Sequence, residues 1–342
     1  MQRGKIFTAV AWGLGGLFLC AAAAVGFATQ GFGLAELPDP QPEDWAQAYT
    51  TTWDTEEDPV RGLDISWFHG PVELRVGEGQ YVTVTEEAQQ ELPEEDRLEL
   101  TSSGGVLRIK WNSQLLALDL LEHNSKALIV EVPRETAEDL EELRCQAVSG
   151  LVTVSGFAAG EMELSSDSGG LALSDLRAGE LRLSTISGPM TLRNAQVEDR
   201  LEAYTTAGAA ELSQVAAGEV KLSAVSGAMA FQGQAGELWG DSISGAVDIA
   251  LTQCPQAAKL RSVSGGLTLA LPENDGFEAA FSSVSGRFQC QFPASGDKGP
   301  KGRALYGSGG AQLEFSTTTG DIRLLRSSPA KTGDQTQGSE LT

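Results

Sequence analysis

Residues 159–173 read Ala159-Gly160-Glu161-Met162-Glu163-Leu164-Ser165-Ser166-Asp167-Ser168-Gly169-Gly170-Leu171-Ala172-Leu173. Residues 178–192 say nearly the same again: Ala178-Gly179-Glu180-Leu181-Arg182-Leu183-Ser184-Thr185-Ile186-Ser187-Gly188-Pro189-Met190-Thr191-Leu192. The clearest marker is a small residue followed by Gly. It stands at Ser149-Gly150, Ser168-Gly169, Ser187-Gly188, Ala207-Gly208, Ser226-Gly227, Ser244-Gly245, Ser264-Gly265 and Ser285-Gly286. Successive marker glycines lie 19, 19, 20, 19, 18, 20 and 21 residues apart. Thr319-Gly320 closes the series after an insertion around 295–303. A second marker, Ala-Gly-Glu, keeps the same period at 159–161, 178–180, 217–219 and 235–237. A fixed period near 20 residues is the signature of a stacked array.

Apolar residues keep fixed offsets from the marker Gly. Seven before it stand Leu143, Met162, Leu181, Leu201, Val220 and Leu238; five before it, Cys145, Leu164, Leu183 and Leu222. Two after it stand Val152, Leu171, Met190 and Met229; four after it, Val154, Leu173, Leu192 and Phe231. A further set two before it, Val148, Ile186, Val225, Ile243, Val263 and Val284, is also expected to face inward. Alternation over arms this short is the pattern of strands with one buried face. The expected fold is therefore all-β: a single-chain parallel β-solenoid, or β-helix, of 19–20-residue coils, with like positions about 4.8 Å apart.

The same ruler applies upstream. From Gly70, it places Leu63, Ile65, Phe68, Val72 and Leu74 inward; from Gly105, it places Leu98, Leu100, Leu107 and Ile109. Tyr81–Thr85 and Leu128–Val132 read as extra strands. The chain thus divides into a membrane segment (1–29), an acidic Pro-rich spacer (30–59), an N-terminal cap of degenerate coils (60–140), a regular solenoid (141–326) and a polar tail without periodicity (327–342). Eleven coils would stack to about 50 Å.

Between Lys5 and Glu36 lie 30 residues without a formal charge, and their apolar part, 6–28, is long enough to span a bilayer. Arg3 and Lys5 precede it and acidic residues follow, which orients the N-terminus to the cytoplasm and the coils outside. The rival reading is a cleaved signal peptide with a small-residue site near Ala22-Ala23-Ala24; a lipidated Cys20 is disfavoured by Phe18-Leu19 before it. The spacer carries Pro38, Pro40, Pro42 and Pro59, and its Trp45 and Trp53 are expected to cap the domain or rest at the membrane interface.

Composition narrows the function. Lys+Arg is 24 against 47 Asp+Glu, a net charge of −23. That excludes a nucleic-acid footprint and an electrostatic grip on anionic lipid. His69 and His123 are the only histidines, so His-based triads and multi-His metal sites are excluded by inventory. Gly is 40 of 342, about 12% against a usual ~7%, and the excess is turn punctuation rather than a phosphate loop.

The repeated coil (Val148-Ser149-Gly150, Val225-Ser226-Gly227, Val263-Ser264-Gly265) and the opening Leu63-Asp64-Ile65…Val72-Glu73-Leu74 resemble a bacterial candidate-adhesin family of unknown function. That family is built from β-strand repeats and is common behind an N-terminal membrane helix in Gram-positive bacteria. The resemblance spans about residues 60–326 and implies a cell-surface role; it brings no catalytic residues.

The candidate chemistry is thin. Cys145 and Cys290 fall on inward positions seven layers apart, about 33 Å, far beyond the ~7 Å a disulfide needs. Cys254 aligns with Val215 and Leu176, and all three are read as small buried hydrophobes. Eight before the marker stand Glu142, Glu161, Glu180, Glu219, Glu237 and Glu278, an acidic column. Two residues on stand Arg144, Arg182, Lys221 and Lys259, with the order reversed at Arg200 and Glu202. Interleaved charge of this kind reads as a solvated, salt-bridged face rather than a Ca²⁺ or catalytic site. The expectation is a non-enzymatic extracytoplasmic protein, adhesin-like or an envelope scaffold. It has no catalytic, cofactor or metal residues, and its partners are the membrane and a surface glycan or protein. The alternatives are a glycan-acting β-helix enzyme and a self-assembling scaffold.

Overall fold

A computed structural model describes residues 45–112, 125–297 and 299–327. The expected membrane segment at 6–28, Cys20, His123, the first half of the spacer (30–44) and all but the first residue of the tail lie outside the described residues. Among the described residues, no helix is long and apolar enough to cross a membrane.

The described chain is all-β. Each repeat contributes one arm to each of two parallel ladders. Between Leu171 and Ser242 the chain runs in four long strands, Leu171–Thr185, Met190–Thr205, Ala210–Ala224 and Met229–Ser242, each carrying the second arm of one coil into the first arm of the next. Their registers step by one repeat, Leu173 on Leu192 and Leu183 on Ala203, as the alternation predicts. Non-glycine residues with positive φ make the bend inside three of these strands: Asp175, Asn194 and Gln214. The Asn194 side-chain amide donates to the Asp175 carboxylate one layer away, at 2.5 Å. Asx side chains tolerate this left-handed backbone because they bond locally.

Spatial order departs from chain order at both ends. Strand Gly62–His69 lies between Val106–Lys110 on one side and Leu140–Ser149 on the other. Val72–Gly77 lies likewise between Lys126–Pro133 and Val152–Ser155. At the other end, Ala311–Thr317 sits between Ala257–Ser262 and Gly276–Ser283, and Ile322–Arg326 between Leu267–Leu271 and Phe288–Cys290. The coils that begin and end the array in sequence are thus inner layers. The Gly320 coil does not close the stack, and Cys290 lies in the outermost layer, eight from Cys145 rather than seven.

Antiparallel strands cover both arms of one outer layer and one arm of the other, where Phe288–Cys290 pairs only inward, with Ile322–Arg326. Glu99–Ser103 pairs with Val106–Lys110, Tyr81–Ala88 with Lys126–Pro133, and Gln47–Asp54 with Tyr81–Ala88. At the far end Lys301–Gly307 pairs with Gly276–Ser283. Covered ends disfavour end-to-end stacking of copies. The coil expected at Gly105 is instead a hairpin turn: Leu107 and Ile109 stack on Leu63 and Ile65, a different arm from the one the ruler assigned. A local offset from a glycine cannot distinguish a coil corner from a hairpin, because both need a permissive residue.

The core register is corrected at one offset. Residues two before the marker point outward: Val148, Ile243, Val263 and Val284 are exposed, Val284 at 77%, and Phe68 at 38%. The inward slot is three before: Trp67, Ala147, Ser166, Thr185, Thr205, Ala224, Ser242, Ser262, Ser283 and Thr317 are all buried. The strand period continues unbroken from seven to five to three, and only then does the chain turn. Hydroxyls suit that slot because the corner backbone needs partners. Ser166 Oγ donates to Gly150 O at 3.0 Å and accepts from Gly169 N at 3.1 Å. Ser242 Oγ accepts from Gly245 N at 2.9 Å.

The marker glycines answer mainly to close stacking. Gly70 and Gly150 adopt positive φ, but at Gly169, Gly188 and Gly227 the demand is space: a Cβ there would fall on the carbonyl oxygen of the marker Gly one layer below. The Ala-Gly-Glu marker has the same cause, since a Cβ at Gly179 would meet Gly160 O at 2.7 Å.

Candidate functional site

The outward positions of the first ladder stack into two columns. From Arg108 of the hairpin strand, the layers run on through the residues six before each marker, Asp64, Arg144, Glu163, Arg182, Glu202, Lys221, Trp239, Lys259 and Glu314, in spatial order. Charge alternates at each step until Trp239 interrupts it. Consecutive layers pair: Arg108 with Asp64 at 3.5 Å, Arg182 with Glu202 at 3.8 Å, Lys221 with Glu202 at 3.7 Å and Lys259 with Glu314 at 2.6 Å.

The column eight before the marker runs Glu142, Glu161, Glu180, Arg200, Glu219 and Glu237, then Ala257, Gln312 and Glu278. Glu278 is therefore no neighbour of Glu237; two uncharged layers separate them. The columns also pair sideways: Arg144 with Glu142 at 3.2 Å, Arg182 with Glu180, and Lys221 with Glu219 at 2.9 Å. Arg200 reaches Glu219 at 3.0 Å across the layers.

The two ladder carboxyls whose titration moves both move down. Partial burial pulls Glu219 upward, but hydrogen bonds from Lys221 and Arg200 outweigh it and hold the carboxyl below its ordinary value. The hydrogen bond from Lys259 does the same for Glu314, against a smaller opposing effect of burial. Among the described residues there is no group of three or more His, Cys, Asp or Glu placed to hold a metal ion.

Past Lys221 the ladder opens into a cleft. The Lys221 ammonium stands over the Trp239 ring, 5.8 Å from its centre. Beyond Trp239, Ala257 and Ala280 lower the surface, and strand Lys301–Gly307 closes the far end with Arg303, paired to Glu278 at 2.8 Å. The cleft encloses about 390 Å³, lined chiefly by Trp239, Lys259, Gln312, Glu314, Glu278 and Arg303. A broader groove of about 720 Å³ follows the Ala-Gly corner, over Ala159, Gly160, Ala178, Gly179, Ala217 and Gly218. Its small residues are accounted for by close stacking.

The remaining residues singled out in the sequence do not converge. Cys145 is fully buried, and burial pushes its thiol up to about 12. Cys254 and Cys290 are half-buried rather than buried, and all three are free thiols. Cys254 does not align with Val215 and Leu176, because Leu251 occupies that column and Cys254 falls in the connection after it. His69 Nδ1 lies 3.1 Å from Ser149 Oγ at the coil corner. Trp53 packs on the core and donates to Asp58 O at 3.3 Å, a capping role. The sequence reading missed Trp239. The available signal was an aromatic residue at an offset that, apart from Ala280, otherwise carries charge.

A family model described as Toastrack DUF4097 matches residues 60–325, and the chain belongs to that family. No curated protein matches. Among solved structures, a candidate adhesin from Parabacteroides merdae ATCC 43184 is 11% identical over 82% of this chain and 97% of its own, with a TM-score of 0.50. A candidate lipid-binding protein from Parabacteroides distasonis ATCC 8503 is 13% identical over 82% and 97%, with a TM-score of 0.47. A candidate adhesin from Bacteroides fragilis NCTC 9343 is 9% identical over 82% and 98%, with a TM-score of 0.41. At these identities the likeness is one of fold.

Proposed function

We propose that this chain is a non-enzymatic, membrane-tethered protein of the cell surface. Residues 6–28 span the membrane with the N-terminus in the cytoplasm, and the coils outside engage a surface partner or scaffold the envelope. The observation that carries the non-enzymatic reading is the paired ladder. Glycan hydrolysis by a carboxylate pair needs one acid raised and one base lowered across a single bond. On the ladder the carboxyls that shift, Glu219 and Glu314, both go down, each held by cations, and Asp167, which burial raises, stands at a coil corner outside the ladder. The covered ends favour a discrete displayed body over a filament. The uncharged run behind Arg3 and Lys5 supports the topology.

Fractionation combined with protease treatment of intact cells tests the location. The expected result is a membrane-fraction protein whose coils are digested from outside. Full-length protein soluble in the cytoplasm would overturn it.

A further inference from the structure

We propose that the cleft between Trp239 and Arg303 is a binding subsite for a neutral saccharide. The inference deepens the reading of a surface-binding protein and rests on it. A pyranose ring has an apolar C–H face and a rim of hydroxyls. Its recognition calls for an aromatic plate beside planar groups that donate and accept in fixed directions. Trp239 supplies the plate, and Lys221 over its ring holds it in place. The rim partners stand along the same trough: Gln312, the Lys259–Glu314 pair at 2.6 Å and the Glu278–Arg303 pair at 2.8 Å.

Charge selects the ligand class. The whole chain carries −23, yet this cleft holds two cations against two carboxylates, already paired. A phosphate or a metal ion would have to break those pairs, whereas hydroxyls can bond to their free edges. An apolar ligand could use the ring and the small side chains of Ala257 and Ala280, but it would lie against the two ion pairs and Gln312 without bonding to them. At about 390 Å³ the cleft lies within the range of small-ligand sites, roughly 300–1,000 Å³. Arg303 lies four strand steps from Trp239, about 19 Å at the strand spacing, so the trough admits more than one sugar unit.

The position of the cleft is also particular. Trp239 is the one ladder position in this column, among the described layers from Arg108 to Glu314, that carries an aromatic residue. The next layers replace the Glu column with Ala257 and Gln312. In three consecutive layers one of the two outward positions is thus uncharged, Trp239, then Ala257, then Gln312, while Glu237, Lys259 and Glu314 keep charge beside them.

The test is binding of the detergent-solubilised full chain to a panel of neutral trisaccharides (maltotriose, chitotriose, laminaritriose and xylotriose), followed by calorimetry on any that bind. At least one should bind, and Trp239→Ala should weaken it at least about tenfold, about 1.4 kcal/mol. Arg303→Ala and Gln312→Ala, both outward changes, should weaken it as well. Trp239→Phe should retain part of the affinity, and thermal melts of all variants should match the parent. Should Trp239→Ala fail to fold, Arg303→Ala and Gln312→Ala decide. No binding to any of the four sugars, or affinity indifferent to these substitutions, overturns the subsite. The protease experiment reads separately: surface exposure without sugar binding sinks the subsite alone, and sugar binding by a cytoplasmic protein sinks the surface reading alone.

Discussion

Glu86 and Lys126 form an ion pair of 2.9 Å with both residues buried, at 0% and 2% exposure, inside the cap at one end of the stack. Lys126 Nζ also donates to Asn112 O at 3.0 Å and to Asp96 O, and lies 4.4 Å from the centre of the Trp111 ring. The other carboxylate oxygen of Glu86 accepts from Leu98 N at 2.9 Å. One pair thereby ties together strand Tyr81–Ala88, the segment at 96–98, the end of the hairpin at 112 and strand Lys126–Pro133. A buried charge is tolerable only with its partner and its hydrogen bonds in place.

Removing one member should therefore be severe. Lys126→Met leaves a buried carboxylate and is expected to cost about 3–5 kcal/mol in denaturant unfolding. The double change Lys126→Met with Glu86→Leu should recover part of that loss. A single change costing under ~1 kcal/mol would show that the cap opens to water.

The corrected register separates two positions that hydrophobicity alone would treat alike. Leu183, 2% exposed, and Ile243, 53% exposed, are both aliphatic. Leu183→Asp buries an unpaired charge and should unfold the chain or cost several kcal/mol, on the order of 4. Ile243→Asp should stay within about 1 kcal/mol, as surface changes do. Equal losses in urea melts would refute the assignment.

The stacking glycines make a steric prediction. At Gly188 an added Cβ meets backbone that cannot move independently of its layer, so Gly188→Ala should cost about 3 kcal/mol. At Gly266 the nearest atom is Asp321 O at 3.8 Å, an ordinary contact, and Gly266→Ala should change stability by less than ~1 kcal/mol. Thermal melts of the two variants compare them directly.

The ladder should show in the pH dependence. Glu219 and Glu314 have folded values below the ordinary 4.5. A depressed carboxyl stabilises the folded state above its unfolded value and loses that contribution as pH falls through the folded one. Stability should thus be flat above about pH 6 and decline below 4.5. Glu219→Gln and Glu314→Gln should each flatten the decline, and added salt should shrink the difference because the pairs are largely exposed. An unchanged acid slope in both variants would remove the ladder from the account.

The acidic column is expected to bind Ca²⁺ weakly. One Glu per layer, with Arg or Lys beside it, does not assemble the six to eight oxygens the ion prefers. Calorimetry should find no sub-micromolar site. Tight binding abolished by Glu161→Gln and Glu180→Gln would reverse the reading of this face.

The sequence by itself determined the all-β class, the period and most of the inward slots, because strand alternation is a local property written every second residue. It carried the Ser-Gly corners as turns as well, while the reason for glycine there, the marker carbonyl of the neighbouring layer, is set by stacking. Offsets two and three before the marker were confused since both are filled by small or β-branched residues. What separates Val263 from Ser262 is where the chain turns, and that depends on the neighbouring layer's carbonyl. Only the tertiary structure decided the order of coils at both ends, the pairing of Glu86 with Lys126 across 40 residues, and the placing of Arg303 beyond Glu278. All three depend on which edges meet in space. Repeats with interchangeable edges offer many equally good local matches, so sequence periodicity cannot rank them, and the covered ends and buried ion pair do.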